Sequence, residues 1–198
     1  MPSKLTTLAQ QKTAAQLQTL TQDSIKWLLR KIADMKKTSN IASMMNREQF
    51  RKNDKFILGG LYYFYYDPKT KDDMPYYDRF PLVLIIDRYP DGFLGLNLHY
   101  LPLKYRVAFL DKLLDYAVYT PEDEIKRIRI SYEILSMSRR MKEFNPCIKR
   151  YLNSQIQSKM LTVQPNEWDI AIFLPIQQFK KAKATKVWED SVKQIRNS

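Results

Sequence analysis

Six aspartates, Asp67, Asp72, Asp73, Asp78, Asp87 and Asp91, crowd one short window of this chain. Carboxylates are hard oxygen ligands, and several converging on one point would hold the Mg²⁺ of a metal-dependent nuclease. The same residues in a hydrophilic turn are explained equally by a solvated acidic loop, which is the more economical reading because metal chemistry needs convergence as well as supply. His99 is the only histidine and Cys147 the only cysteine. A single imidazole gives no multi-histidine metal site and needs a nucleophile or acid nearby in space to do catalysis, so a packed or surface histidine is expected. Cys147 follows Pro146 at a predicted helix start, where the dipole lowers a thiol pKa; an inert, half-buried thiol is the plainer expectation. Neither an intramolecular disulfide nor a multi-cysteine metal site can form.

Asp67-Pro68-Lys69 has the Asp-x-Lys spacing that ends restriction-type nuclease motifs, but Pro68 sits inside the strand end that such a motif needs. A nuclease would require at least two of the aspartates to meet Lys69 or Lys71 within reach of one metal ion. No phosphate loop, dinucleotide fingerprint or nucleophile elbow occurs, so neither a cofactor nor a small-molecule substrate is expected.

The aromatic run Leu61 to Tyr66, followed by Tyr76 and Tyr77, is the stronger constellation. On a strand Tyr62, Phe64 and Tyr66 point to one side and Tyr63 and Tyr65 to the other. One side must be core. The other would be a stacking platform for bases or a tyrosine-rich protein interface, with Tyr63, Tyr65, Tyr76 and Tyr77 as its anchors. Aromatic packing beneath flanking helices is the competing account. Basic clusters supply candidate partner contacts: Arg47, Arg51 and Lys52; Arg139 and Arg140; Lys149 and Arg150; Lys180, Lys181 and Lys183. Each alone is an ordinary solvated face, but together they exceed what solubility requires.

These groups must be positioned by elements that the sequence outlines. All four glycines lie between Gly59 and Gly95, so tight turns and close backbone approaches are concentrated there. Phe56–Tyr66, Phe80–Arg88 and Phe93–Tyr100 read as strands, the last two joined through the turn Tyr89-Pro90-Asp91-Gly92. Gly95 within a strand predicts a bulge or a close backbone contact. Residues 5–37 carry a helical apolar stripe, as do residues 105–117 and, after the start signal Thr120-Pro121, residues 121–144. Cys147–Gln157 is expected to continue as helix, Met160–Val163 as a short strand, and the tail from Gln177 as a basic helix. The fold class is therefore α+β: a small, mostly antiparallel sheet or partly open barrel over about residues 55–101, flanked by basic helices. The expected division is a helical arm over 1–54, a β module over 55–102, and a helical region over 103–198.

Charge follows the same division. The chain of 198 residues has a formal charge of +12. Residues 1–55 hold 11 Lys and Arg against 4 Asp and Glu, residues 56–102 hold 4 against 6, and residues 103–198 hold 18 against 11. Basic flanks around a slightly acidic centre attract phosphate backbones or acidic proteins, and either association is salt-sensitive. The longest apolar run, Phe80–Ile86, is too short to span a bilayer, and no membrane partner is expected. Met1–Gln16 lacks the apolar stretch of a secretory signal, so a cytosolic setting is expected, including a virus assembled there.

The segment FYYDPKTKDDMPYYDRFPLVLIIDRYPDGFLGLNLHYLP, with the later NPCIKRYL, NEWDIAIFLP and VWEDS, resembles virion proteins of T-even-like contractile-tailed phages. The resemblance runs from about Phe56 to Ser191. Two kinds of virion component are implied, the DNA end protector and a tail or baseplate subunit. The resemblance maps no functional residue. It implies a non-enzymatic structural subunit, present in the virion and in host cytoplasm during assembly, whose partners are other virion subunits and double-stranded DNA at packaged ends. A metal-dependent nuclease and a soluble regulator of a host nucleic-acid enzyme are the alternatives from other classes.

Overall fold

The computed structural model describes residues 22, 23, 26, 30, 56–103, 105–107, 142–163, 167–172 and 176–197. Its centre is a five-stranded antiparallel sheet in the order β5-β4-β3-β1-β6, built from β1 (Leu61–Tyr63), β3 (Leu82–Tyr89), β4 (Gly92–Asn97), β5 (Ile148–Leu152) and β6 (Leu161–Val163). A separate two-stranded ribbon pairs β2 (Tyr77–Asp78) with β7 (Phe179–Lys180). The described helices are α1 (Trp168–Ala171) and α2 (Ala184–Asn197), with short 3-10 turns at Leu98–Tyr100, Lys142–Cys147 and Asn153–Gln155. Residues 22, 23, 26 and 30 are helical and exposed. The rest of the expected N-terminal arm, and most of the helical stripes over 105–117 and 121–144, lie outside the described residues.

The α+β class and the mostly antiparallel sheet agree with the sequence reading. Three parts of that reading are corrected. The sheet is open, because its edge strands β5 and β6 do not pair with each other, so the barrel alternative falls. Nor is the sheet confined to residues 55–101, since β5 and β6 come from the C-terminal part of the chain. Helix is expected from the sequence to resume over Cys147–Gln157 after the break at Pro146. Instead Ile148–Leu152 pairs with β4, in register from Gly92↔Leu152 to Leu96↔Ile148. The open hydrogen-bonding row of β4 offers this backbone a full set of partners, and tertiary pairing overrides a weak local preference.

The β3–β4 hairpin turns where Tyr89-Pro90-Asp91-Gly92 predicted it, and its register slips between Ile85 and Asp87. That bulge lies opposite Gly95, whose absent Cβ would stand 2.2 Å from Val83 Cγ1. The expected close contact at Gly95 is therefore real.

Both faces of the sheet are covered. Leu61, Tyr63, Leu82, Leu84, Ile86 and Leu96 face one core, closed by Trp168, Ala171 and Ile172 around α1 and by Val187 of α2. Tyr62, Phe64, Tyr66, Val83, Ile85, Phe93 and Tyr151 form the second, an aromatic layer with Phe56, Leu58 and Met160 at its margin. The alternation read from the sequence holds residue by residue, but neither face of β1 is open. Helix α2 carries three basic and two acidic residues, so the positive charge of this tail lies mainly in Lys180, Lys181 and Lys183 before the helix begins.

Candidate nucleic-acid interface

The aspartates disperse. Asp67 pairs with Lys71 one turn on, Nζ to Oδ2 at 2.9 Å. That partner and its charge raise the Lys71 pKa above its ordinary value. Asp87 accepts from the Arg88 amide, Asp91 pairs with Arg150, and Asp72, Asp73 and Lys69 are exposed. Among the described residues no three His, Cys, Asp or Glu side chains approach one another as metal ligands would. The convergence that the nuclease reading requires is not formed at this turn.

Asp78 is the exception, and the sequence reading missed its role. It is buried, and its Oδ2 lies 2.6 Å from Nδ1 of the fully buried His99. Asn97 Nδ2 donates to the same oxygen at 3.3 Å, while the amides of Phe80 and Gln178 donate to Oδ1, each at 3.1 Å. Burial pushes the Asp78 carboxyl up, but His99 and these amides outweigh it and the net direction is down. Burial pushes His99 below its ordinary value against the pull of Asp78. A neutral imidazole donating to a carboxylate satisfies both directions. The His99 carbonyl accepts from Trp188 Nε1 at 2.8 Å and from Arg106 Nη2 at 3.3 Å. Burial draws Arg106 down to about 10, still charged at neutral pH. This network ties the β2–β7 ribbon, the end of β4 and α2 together. It is an internal brace, as expected of a packed histidine. Cys147 is likewise inert: it is fully buried, and burial pushes its thiol up to about 12.

The predicted contact residues divide into four groups. Arg47, Arg51, Lys52, Arg139 and Arg140 lie outside the described residues. Tyr63 and Lys181 make structural contacts within the chain. Tyr63 is fully buried, its hydroxyl donating to the Ala171 carbonyl at 2.9 Å, so it anchors core and not a surface. Lys181 Nζ donates to the carbonyls of Lys71, Asp72 and Met74 at 2.7, 2.8 and 3.1 Å, clamping the acidic turn with all three of its protons. Its backbone sits at φ 66°, in the left-handed region that a lysine adopts only when its surroundings hold it there. Tyr76 is half-buried against Tyr100 and Phe179. Lys149 lies over the Tyr100 ring at 4.4 Å, and Arg150 over Tyr89 at 4.0 Å. Lys183 is exposed beside α2.

Tyr65, Tyr77 and Lys180 remain on the surface, and they gather at one place. Tyr65, Tyr66, Asp67, Lys71, Tyr77, Arg79 and Gln157 line a cavity of about 540 Å³. Main-chain bonds fix its walls: Tyr66 N to Arg79 O at 2.9 Å, Gln157 N to Tyr65 O at 2.8 Å, and Asp67 N to Gln155 O at 3.1 Å. Tyr65 is 40% exposed and lies across Phe80 at 4.6 Å between ring centroids. In the ribbon Tyr77 faces Lys180 and Asp78 faces Phe179. Directly opposed residues share a face, so Tyr77 and Lys180 point outward while Asp78 and Phe179 point to the core. Arg79 continues the outer face two residues on, its amide bonded to Gln178 O at 2.9 Å. One exposed and one half-buried phenol ring beside a guanidinium and an ammonium suit a flat, hydrogen-bonding, anionic ligand. Arg79 and Gln157 were not singled out in the sequence, where nothing local separates them from other polar residues. Among the described residues, no helix is long and apolar enough to cross a membrane.

No curated protein and no solved structure matches the chain. The family described as Phage T4 terminal DNA protecting protein matches over residues 5–191, nearly the whole length, and the chain belongs to that family of phage DNA end protectors.

Proposed function

We propose that this protein is a non-enzymatic component of the phage particle that binds the ends of packaged double-stranded DNA and shields them. The observation that carries this reading is the family match over residues 5–191 in a chain of formal charge +12. Its basic flanks, residues 1–55 and 103–198, bracket a slightly acidic stretch over 56–102. In this mechanism they engage phosphates and the acidic faces of neighbouring virion subunits, and the protein passes through host cytoplasm before joining the particle. Shielding needs tight contact at an end and no bond-breaking chemistry, which accords with aspartates scattered among separate partners.

The test is binding of the full chain to blunt-ended linear duplex and to closed circular duplex across a salt series with Mg²⁺, followed by challenge with an exonuclease. Linear DNA is expected to bind more tightly, to remain intact, and to resist digestion. Affinity should fall by about 10³-fold or more between roughly 50 and 200 mM salt if six or more phosphates are neutralised. Equal binding to both forms would remove the end-specific part of the reading. No binding at low salt would overturn it in favour of a protein-contacting tail or baseplate subunit, and cleavage would bring the nuclease forward.

A further inference from the structure

The geometry points to the cavity between Tyr65, Tyr77 and Arg79 as the seat of a single unstacked nucleotide at the DNA terminus, an inference that rests on the end-binding reading above. Three observations converge on it. The cavity, about 540 Å³, is in the range of small-ligand sites, ~300–1,000 Å³. Its rim presents the exposed ring of Tyr65 and the half-buried ring of Tyr77 on backbone fixed by the Tyr66–Arg79 and Tyr65–Gln157 main-chain bonds. The cations Arg79 and Lys180 flank Tyr77 on the outer face of the β2–β7 ribbon, both exposed. Among the described residues neither has a carboxylate partner, whereas Lys71 is paired with Asp67.

Stacking on a tyrosine needs the open face of a base. Inside a duplex both faces of every base are covered by its neighbours, and only the grooves and phosphates are accessible. A terminus is the one place where a base face is open and a nucleotide frays out at low cost. A site built on aromatic faces with adjacent cations therefore reads ends, whereas basic flanks alone hold any stretch of backbone. In the seated nucleotide the base lies against Tyr65 and Tyr77, and the phosphate lies on the Arg79 and Lys180 side. Asp67 also lines the cavity, where its charge is balanced by Lys71. Gln157 lines the same cavity, its Nε2 donating to the Gln155 carbonyl at 3.3 Å.

The experiment uses the full chain and short blunt duplexes carrying 2-aminopurine either at the terminal position or well inside. Wild-type protein is expected to change the emission of the terminal probe and leave the internal one unaltered. Tyr77→Leu and Arg79→Glu should each weaken binding to linear duplex about tenfold or more and abolish the terminal signal. Binding to circular duplex should fall far less than binding to linear duplex, and the thermal melting of Arg79→Glu should be unchanged. Arg79→Glu protects the test against simple misfolding, because that side chain is exposed and its structural bonds are made by main chain. If both variants bind ends and shift the terminal probe as wild type does, the pocket assignment is overturned while end protection stands. If wild-type protein does not distinguish linear from circular DNA, the end-binding reading itself fails and this inference falls with it.

Discussion

At the scale of single residues, burial decides which of the chemically capable groups are available. His99 and Asp78 have the types and proximity of a catalytic pair, yet His99 is enclosed completely and the Asp78 oxygens are occupied by His99, Asn97 and two main-chain amides. Their consequence is for stability. An unfolded imidazole takes up a proton near pH 6.5, whereas the folded one, lowered by burial, resists. The unfolded chain thus binds more protons, and acidification below that pH favours unfolding. The depressed Asp78 carboxyl acts in the same direction lower down: its contribution is full above about pH 3.9 and is lost as the folded group finally protonates. Urea midpoints should therefore decline between about pH 7 and 5. His99→Gln should be less stable at neutral pH and should flatten that decline, since it removes the only imidazole. An unchanged slope in the variant would show that the brace does not titrate as described.

At the scale of elements, two devices hold the surface that carries the cavity. One is Lys181, which reaches across more than a hundred residues of sequence to three carbonyls of the 69–75 turn. A carbonyl cluster of this kind suits an ammonium with three donors and nothing apolar. Lys181→Met should cost about 1 kcal/mol, at the modest end for charged hydrogen bonds because the site is exposed. It should also speed proteolysis within the turn, with little effect on cutting elsewhere. The other device is the close packing of β3, β4 and β5. A Cβ on Gly92 would stand 1.9 Å from the Tyr151 carbonyl oxygen, which is backbone and cannot swing away. A Cβ on Gly95 meets a valine methyl at 2.2 Å, which is side chain, and backbone only at the Leu84 carbonyl oxygen, 3.2 Å away. Gly92→Ala and Gly95→Ala should both destabilise by about 1–3 kcal/mol, with Gly92→Ala the worse, measured by chemical denaturation. The reverse order would mean that the β4–β5 edge is looser than this register implies.

At the scale of the whole molecule, the sheet and its two cores form a rigid frame that presents a narrow aromatic and cationic site, while net positive charge resides in the flanking sequence. That division separates two contributions to end binding. In the proposed function, charge on the flanks sets overall affinity and salt dependence, since counterion release tracks the number of phosphates neutralised, and the proposed nucleotide seat sets preference for a terminus over interior duplex. Removing charge at Lys183, which is exposed and away from the cavity lining, should lower affinity for linear and circular DNA alike. A Lys183→Gln variant that lost only linear binding would contradict this separation.

Much of this was legible in the sequence because it depends on local pattern. The period-two alternation of Tyr62 to Tyr66 placed each ring on its side of the sheet, the Pro-Asp-Gly turn located the hairpin, and Gly95 marked a close approach. The charge distribution and the motifs after Phe56 pointed to a phage DNA end protector among virion components. What local pattern could not decide was everything that depends on partners distant in the chain. Ile148–Leu152 reads as helix until β4 supplies an open edge, and both faces of β1 are closed because helices and an aromatic layer arrive from elsewhere. Lys181 looks like one more surface cation until the turn brings it three carbonyls. The nucleotide-sized cavity joins Tyr65 and Arg79 to Gln157 only through long-range main-chain pairing. Periodicity and turn chemistry are set by neighbours a few bonds away, but which face is buried, which cation is occupied and where a site opens are set by burial and hydrogen bonding across the folded chain.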